Sequence, residues 1–538
     1  MSGSPHPLSR LAPWQRLVHG PLAHWAQQRP DAIAIDDGEQ RIRFADLHAT
    51  VQQQADALQA RNAPHTRLLD ARQSPTALIT DFLATNASGR CAALGDIAWS
   101  AAQQAQAQRW MDALAATPRE NSSADEALQP FYIGFTSGST GLPKGFRRHH
   151  QSWSESFRVC VDSFGQAANG CVMAPGSLSH SLFLFGALQG IWTGGGMQLQ
   201  PRFSASQCLA TLRQQATPCL VAVPSQLLVM LRLAERRALA PIESLQLLMI
   251  SGARWMRQHT PALQVLFPNA RIVEFYGASE ASFIAWMDAS ADTPVQVVGR
   301  AFNTVQLQIR DADMQPLPRG EVGTIWLRSP MLFIDYVGAQ ADATAALRDG
   351  DWLSVRDMGS LDEQGMLTLV GREKRMIVTQ GKNLFPEEVE AVLCEHPRVA
   401  AASVHGVDDA LRGKQVWVAL QLRDAAAPPS APAQQPALQP LADAALAREL
   451  GDWCRRRLEA HKCPRRWFST APWPQTASGK TDHPTLATWL AAQLPTAKET
   501  LIKSRIEDSR STVSSEAGDR QGGVAHLFSP SPTTADNR

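Results

Sequence analysis

The stretch from Phe131 to Gly145 carries residue types suited to binding an anion: an apolar run is followed by hydroxyls, glycines and one lysine. Small residues let backbone N–H groups approach an anion closely, hydroxyls add donors, and the Lys144 ammonium adds a positive charge. We therefore predict a strand leading into a polyphosphate-binding loop formed by Thr136, Ser137, Gly138, Ser139, Thr140, Gly141 and Lys144. The alternative is a flexible surface loop rich in serine and glycine.

A second group of candidate residues lies at the end of a strand-like run, Val273–Glu280. Tyr276 offers a flat aromatic face for adenine, and the Glu280 carboxylate supplies the hard oxygen ligands that Mg²⁺ between phosphates requires. The alternative is a strand that ends in a Tyr-Gly turn with a surface glutamate. Further along, the Asp357 carboxylate could accept hydrogen bonds from two vicinal hydroxyls at once.

Five motifs together resemble those of the adenylate-forming superfamily, which includes acyl-CoA synthetases, peptide-synthetase adenylation domains and luciferases. They are Thr136–Gly145, Val273–Glu280, Asp351–Gly359, Gly371–Glu390 and Pro474–Asp482. Within the last, Gly479-Lys480-Thr481 invites a Walker A interpretation, but Pro474 stands where that motif needs its first glycine. Ser279 and Arg356 depart from the superfamily pattern, which usually has threonine at both positions.

The resemblance implies a role for each matched residue. A catalytic role is implied for Lys480, Thr136, Lys144 and Glu280, of which Glu280 is also the metal ligand. The implied ATP-binding set is completed by Ser137, Gly138, Ser139, Thr140, Gly141, Gly252, Ala253, Tyr276, Gly277, Ser279, and the ribose contacts Asp357 and Arg372. His180 is implied in the acyl pocket, Lys374 at a domain hinge, and Gly381 in a thiol tunnel.

The alternation of strand and helix patterns predicts an α/β fold. Asp37-Gly38 marks a hairpin turn within residues 32–44, and a helix is expected from there to Ala60. By resemblance, a large N-terminal domain (1–371) has mostly parallel sheets covered by helices plus a small barrel, and a hinge (372–375) leads to a smaller, mobile C-terminal α+β domain (376–494). An Ala/Pro/Gln-rich insertion at about 424–440 and the tail 495–538 are expected to be disordered.

Bulk properties exclude several classes of protein. A formal net charge of +1 over 538 residues gives no electrostatic reason to expect a nucleic-acid partner. The eight cysteines contain no Cys-x-x-Cys pair, which favours reduced thiols in a cytoplasmic enzyme without a zinc site. No signal peptide is expected, because prolines and charges interrupt the first 22 residues, and the most apolar window, 219–233, is too short for a transmembrane segment.

These motifs predict an AMP-forming acyl-CoA synthetase, an acid–thiol ligase. Its substrates would be ATP with Mg²⁺, a small-molecule carboxylic acid and CoA, and the apolar residues Leu182–Phe185 suggest a fatty or other apolar acid. One alternative is a stand-alone adenylation enzyme that loads an acyl or aminoacyl group onto a carrier protein. The segment 177–186 contains no acid to pair with a substrate ammonium, which weighs against an amino acid. A non-catalytic nucleotide-binding homologue is the third possibility.

Overall fold

Strands and helices alternate along most of the chain. The computed structural model describes residues 11–116, 125–137, 143–409, 413–423, 438–476 and 481–493. Residues Met1–Leu486 form one unit, which is described below. Of the second unit, Ala487–Arg538, the described part is 487–493, which contains the end of a helix.

The described strands are β1 (Ile33–Asp36), β2 (Arg41–Arg43), β3 (Thr66–Leu69), β4 (Cys91–Leu94), β5 (Pro130–Ser137), β6 (Pro143–His149), β7 (Val172–Ala174), β8 (Met197–Leu199), β9 (Cys219–Ala222), β10 (Leu247–Ile250), β11 (Arg271–Ala278), β12 (Ser282–Asp288), β13 (Val297–Ala301), β14 (Gln306–Arg310), β15 (Gly323–Arg328), β16 (Asp335–Val337), β17 (Arg348–Asp349), β18 (Trp352–Leu353), β19 (Asp357–Leu361), β20 (Met366–Arg372), β21 (Ile377–Thr379), β22 (Lys382–Leu384), β23 (Val399–Asp409), β24 (Gly413–Leu422), β25 (Gln439–Pro440) and β26 (Arg466–Ser469).

The described α-helices are α1 (Gly20–Gln28), α2 (Phe44–Ala60), α3 (Pro75–Ala87), α4 (Ala101–Ala116), α5 (His150–Phe164), α6 (Ser181–Thr193), α7 (Ala205–Gln214), α8 (Pro224–Arg236), α9 (Thr260–Leu266), α10 (Pro386–Cys394), α11 (Ala444–Arg455) and α12 (His483–Ala491). In the part of the chain that is described, none of them is long and apolar enough to cross a membrane.

A parallel core forms the middle of the largest sheet, in the order β8, β7, β9, β10, β11. Strand β10 is buried along its whole length. Leu247 and Met249 pack into one core cluster, whereas Leu248 and Ile250 pack into another, so both faces of the sheet are covered. Burial on both faces explains why this strand is a continuous apolar run instead of an alternating one.

Antiparallel strands extend the same sheet from β11 through β12, β13, β20, β19 and β15. Strand β14 pairs with β15 beside this path. Asp357 lies directly opposite Arg372 in the β19–β20 pair. The pairing therefore places the two expected ribose-binding residues side by side, although 15 positions separate them in the sequence.

A second sheet has the order β16, β6, β5, β4, β3. Strands β3, β4 and β5 are parallel, and β5 pairs with β6 as an antiparallel hairpin whose tip is the expected phosphate loop. Strand β16 pairs with β6, with Tyr336 opposite Phe146 and Val337 opposite Gly145. This pairing brings residues 335–337 beside Lys144.

The C-terminal sheet has the order β23, β24, β26, β25, and its core cluster includes residues of α10 and α11. Gln439 and Pro440, which form β25, pair with Ser469 and Phe468. The prediction of disorder at about 424–440 is therefore wrong at its C-terminal end, because Leu438 is buried and the next two residues complete the sheet edge. Pro440 suits an edge position, where its missing N–H leaves no partner unsatisfied. Residues 424–437 lie outside the described part.

Candidate active site

The expected phosphate loop connects β5 to β6. Thr136 lies opposite Lys144 in the hairpin, with its hydroxyl 3.5 Å from the Lys144 carbonyl oxygen. Ser137 ends β5. Gly138, Ser139, Thr140 and Gly141 lie outside the described residues, so the structure places the two ends of this loop.

The Lys144 ammonium lies over an aromatic ring that sequence analysis did not single out. Its Nζ is 3.2 Å from the centroid of the Tyr336 ring. The Tyr336 hydroxyl in turn donates a 2.6 Å hydrogen bond to Glu280 Oε1. Burial lowers the pKa of Lys144, and the positive charge of Lys374 lowers it further, whereas the Glu280 carboxylate opposes both effects. Lys144, the expected phosphate-binding lysine, and Glu280, the expected metal ligand, therefore both contact Tyr336.

The turn that carries Glu280 is fixed by Arg148, whose side chain is fully buried. The guanidinium donates to the Ser279 carbonyl oxygen at 2.7 Å, to Ser282 Oγ at 2.5 Å and to the Met331 carbonyl oxygen at 2.7 Å. Gly277 is required in this turn, because a Cβ there would lie 2.3 Å from the Ser282 carbonyl oxygen. Arg148 thus joins the strand after the phosphate loop to the turn that presents Glu280.

The expected nucleoside residues form a second cluster around Asp357, whose side chain is 6% exposed. Asp357 accepts hydrogen bonds from the Tyr276 hydroxyl and, at 3.1 Å, from Arg372 Nε. Burial raises the pKa of Asp357, and the positive charge of Arg372 opposes that effect. Each carboxylate oxygen has a second lone pair available, so a diol could still bind there.

Arg356, which stands where the superfamily usually has threonine, makes its side-chain contacts with Glu373 and Ala346, outside this cluster. Its φ is +61°, and its guanidinium lies 3.2 Å from Glu373 Oε2. The departure from the family pattern therefore leaves the Asp357 contacts intact and adds a surface ion pair next to the expected hinge.

Gly252 and Ala253 follow the C-terminal end of β10, beside the strand that carries Tyr276. Ser251 ties the two strand ends together, since its hydroxyl donates to the Phe275 carbonyl oxygen at 2.9 Å. Gly252 has a φ of +85°, a left-handed conformation that favours glycine. Ligands of open α/β sheets bind at such strand ends.

His180, the residue expected in the acyl pocket, is half-buried and directly precedes α6. The Ser181 hydroxyl lies 3.5 Å from that of Ser279, next to Glu280. One acid missing from the sequence prediction is also present: Asp96, in the loop after β4, accepts a 3.1 Å hydrogen bond from the Ser179 hydroxyl. The apolar residues Phe183, Leu184 and Phe185 pack into the main core.

The expected hinge forms a 3-10 turn, Glu373–Arg375, in which Glu373 and Lys374 are exposed. On its C-terminal side Arg375 pairs with Glu387 at 2.8 Å and with Glu390 at 2.6 Å, both on α10. Arg254 of the large domain donates to the Glu387 carbonyl oxygen at 3.1 Å. Gly381 lies at the exposed turn between β21 and β22, and Lys480 lies outside the described residues.

Two family models match this chain. The model described as AMP-binding enzyme covers residues 67–337, and the model of the AMP-binding enzyme C-terminal domain covers residues 388–480. The chain belongs to the AMP-binding enzyme family. The predicted superfamily, and with it the predicted class of AMP-forming ligases, is confirmed.

Relatives of this AMP-binding enzyme match over most of its length. An uncharacterized acyl–CoA ligase, YhfT, of Bacillus subtilis is 31% identical over 496 residues, which is 86% of this chain and 96% of the relative. The solved amide bond synthetase McbA from Marinactinospora thermotolerans has a TM-score of 0.72 at 24% identity, covering 88% of this chain and 99% of McbA. O-succinylbenzoate coenzyme A synthetase from B. subtilis, solved with ATP and a magnesium ion, has a TM-score of 0.71 at 23% identity over 87% and 99% of the two chains. These structures confirm the α/β fold with a smaller C-terminal domain.

Near the expected lysine loop, the small domain of this AMP-binding enzyme contains a partly buried polar bridge. Ser403 Oγ lies 2.7 Å from His405 Nε2 and 2.7 Å from His483 Nδ1. The Ser403 hydroxyl has one proton, so it donates to at most one of the two rings, and it can accept a hydrogen bond from the other. Burial, together with the positive charge of Arg375, lowers the pKa of His405 to about 3 and that of His483 to about 3.

This bridge predicts a loss of stability in acid. Below about pH 6.5, the usual histidine pKa, the unfolded chain binds protons that the folded bridge excludes, so the free energy of unfolding falls as the pH drops toward 3. Each histidine contributes up to about 1.4 kcal/mol per pH unit. The midpoint of thermal unfolding should therefore fall less steeply in His405→Gln than in the wild type between neutral pH and about pH 5. Identical slopes would contradict this assignment.

Proposed function

We propose that this enzyme activates a carboxylic acid with ATP and Mg²⁺ to acyl-AMP, releases pyrophosphate, and transfers the acyl group to CoA. The supporting observation is that Lys144 and Glu280 both contact Tyr336, while Tyr276, on the strand that leads to Glu280, bonds to the Asp357–Arg372 pair. A cation for phosphates, a hard oxygen ligand and a diol acceptor together match the chemistry of a nucleoside triphosphate.

Each side chain has a definite task in the proposed first step. Lys144 and the hydroxyls of the loop before it bind the terminal phosphates, and Glu280 binds Mg²⁺, which would neutralise phosphate charge when bound. Tyr276 stacks against adenine, while Asp357 and Arg372 orient the ribose. A carboxylate oxygen of the acid then bonds to the α-phosphorus as the bond to pyrophosphate breaks. Lys480 stabilises the charge that builds up on those oxygens.

In the second step the small domain would occupy a different position, which it reaches by rotating about the hinge at Lys374. The thiol sulfur bonds to the acyl carbon, the bond to AMP breaks, and the thioester is released. Gly381 lines the proposed tunnel for the thiol. All eight cysteines are unpaired, which supports a cytoplasmic location.

An apolar carboxylic acid is the proposed substrate. The support is the partly buried hydrophobic surface at the end of β11, where Phe275, Tyr276 and Ala278 pack against the main core close to Ser279. Leu182–Phe185 no longer supports this choice, because most of that segment packs in the core. Asp96 favours a second candidate, an amino acid destined for a carrier protein, since its carboxylate could attract a substrate ammonium.

The decisive experiment measures pyrophosphate release with fatty, aromatic and amino acids, each with and without CoA. Release with an apolar acid, followed by thioester formation with CoA, supports the proposal. Release only with amino acids, and its loss in Asp96→Asn, would support the carrier-loading alternative. A lack of release with every acid would leave a nucleotide-binding homologue.

Glu280→Gln tests the metal site. The substitution keeps the shape of the side chain but removes its charge, so the Mg²⁺ concentration for half-maximal pyrophosphate release should rise about 10-fold or more. Glu363→Gln is a matched control, because Glu363 is exposed in the turn between β19 and β20. Unchanged Mg²⁺ dependence in Glu280→Gln would remove Glu280 from the metal site.

A further inference from the structure

Tyr336 lies between two opposite charges that the proposed reaction needs separately. Its ring faces the Lys144 ammonium at 3.2 Å, well within the distance of a cation–π interaction. Its hydroxyl donates to Glu280 Oε1 at 2.6 Å. One side chain therefore provides a partner for the cation and a partner for the anion at the same time.

The position of the Tyr336 ring is fixed from several sides. Strand β16, which carries it, pairs with β6, and Asp335 forms a two-pronged ion pair with Arg147 of that strand at 2.5 and 2.8 Å. The Tyr336 N–H donates to Thr344 Oγ1 at 2.9 Å. The ring also meets Phe333 edge-on, with centroids 4.9 Å apart. A ring packed in this way cannot follow Lys144 or Glu280 when either moves.

The same short segment also fixes the backbone of the metal-site glutamate. The Phe333 N–H donates a 2.7 Å hydrogen bond to the Glu280 carbonyl oxygen. Residues 333–336 thus bind Glu280 through its main chain and through its side chain. This double attachment defines where the carboxylate lies relative to Lys144.

We infer that Tyr336 is a positioning residue that prevents Lys144 and Glu280 from forming an ion pair with each other. This inference rests on the proposed function, because it concerns the same ATP and Mg²⁺ site. Opposite charges in a partly buried site attract strongly. A direct pair would neutralise the ammonium needed by the phosphates and the carboxylate needed by the metal. The cation–π contact leaves the ammonium donors of Lys144 to the phosphates, and the hydroxyl binds only Oε1 of Glu280, so a ligand can bind each charge without displacing Tyr336.

The two functions of Tyr336 can be separated by substitution. Tyr336→Phe removes the hydroxyl and keeps the ring. Mg²⁺-dependent binding of ATP, measured by calorimetry on the full chain, should therefore weaken about 10-fold. This is the effect expected when one hydrogen bond to a charged group is lost. Binding of ATP without Mg²⁺ should stay unchanged. Tyr336→Leu removes both contacts, so binding should weaken with and without Mg²⁺.

A double variant tests the ion pair itself. If Lys144 pairs with Glu280 in Tyr336→Leu, adding Glu280→Gln should release the lysine and restore ATP binding without Mg²⁺. The control is Tyr132→Phe, because the buried Tyr132 hydroxyl lacks a hydrogen-bond partner among the described residues. It should bind like the wild type in both conditions.

Two results would overturn the inference: Tyr336→Phe that binds Mg²⁺ and ATP like Tyr132→Phe, or a double variant that binds no better than Tyr336→Leu. Because Tyr336→Phe changes a single atom, the test survives even if Tyr336→Leu fails to fold. Failure of the proposed function has a different signature, namely a wild-type protein that binds Mg²⁺ and ATP but releases no pyrophosphate with any acid.

Discussion

Lys480→Ala should lower pyrophosphate release from acid and ATP by about 10²- to 10³-fold, the loss typical of removing one charge-stabilising donor. The proposed position of its ammonium is beside the acid and the α-phosphate, where negative charge builds up during adenylation. Thioester formation from supplied acyl-AMP and CoA should stay within a few-fold of wild type, because pyrophosphate has already left. Both half-reactions are to be measured on the same preparation.

Gly381→Leu should give the reverse pattern. Gly381 has a φ of +72°, and among the described residues nothing lies within 4 Å of where its Cβ would be. A leucine there would extend into the proposed thiol tunnel. Gly365→Leu is the matched control, since Gly365 has a φ of +77° and equally open surroundings in a different turn. Both variants introduce the same kind of backbone strain, so a difference between their activities in thioester formation indicates that the leucine at position 381 blocks the tunnel.

Equal loss of both half-reactions in Lys480→Ala and Gly381→Leu would contradict a mechanism with two domain positions. Equal loss in Gly365→Leu and Gly381→Leu would instead assign the effect to strain in the turns. The result expected from two positions is a crossed pattern, in which each variant loses the half-reaction that the other retains.

Local sequence signals were sufficient for many elements of the fold. The hairpin predicted around Asp37-Gly38 is formed by β1 and β2, and the helix expected to end at Ala60 does end there. Strand β10 is a short continuous apolar run, Leu247–Ile250, which is typical of a buried strand. In these cases the turn residues and the hydrophobic pattern lie within the element itself, so the sequence alone contains the deciding information.

Contacts between distant segments were not predictable in the same way. Tyr336 Oη and Glu280 are 56 positions apart, and Arg148 reaches Ser279 across 131 positions. Asp96 reaches Ser179 across 83 positions. Sheet order creates these contacts, and periodicity does not report sheet order. The rarity of tyrosine, with three in the chain, was the signal that could have drawn attention to Tyr336.

The segment 182–185 illustrates a different limit. An apolar run beside a candidate substrate residue predicts a hydrophobic pocket or a core helix equally well. Phe185 packs against Phe157 and Phe283, with ring centroids 4.8 and 5.2 Å apart. Its apolar character is therefore explained by packing, and substrate preference has to be sought in residues that face the strand ends.

Arg148→Met should destabilise the large domain by about 3–5 kcal/mol, because several buried acceptors lose their donor at about 1–3 kcal/mol each. Burial lowers the pKa of Arg148 to about 9, so the guanidinium is still charged at neutral pH. Methionine fills much of the volume but leaves the carbonyl oxygens of Ser279 and Met331 without their donor. The midpoint of thermal unfolding should fall by roughly 10 °C. ATP binding should also weaken, because the turn that presents Glu280 loses its attachment.

Two further variants serve as comparisons. Arg148→Lys tests whether the several donors of the guanidinium are needed in addition to its charge, and Arg300→Met shows the effect of losing an exposed arginine. Lysine keeps the charge but cannot reach several acceptors with one planar group, so its unfolding midpoint should lie between those of the wild type and Arg148→Met. Arg300 is exposed on β13, and its replacement should change the midpoint by no more than about 1 °C. If Arg148→Met melted like Arg300→Met, the buried guanidinium would not be what fixes the Glu280 turn. If it melted early but bound ATP normally, Arg148 would support the fold alone, and the position of Glu280 would depend on residues 333–336.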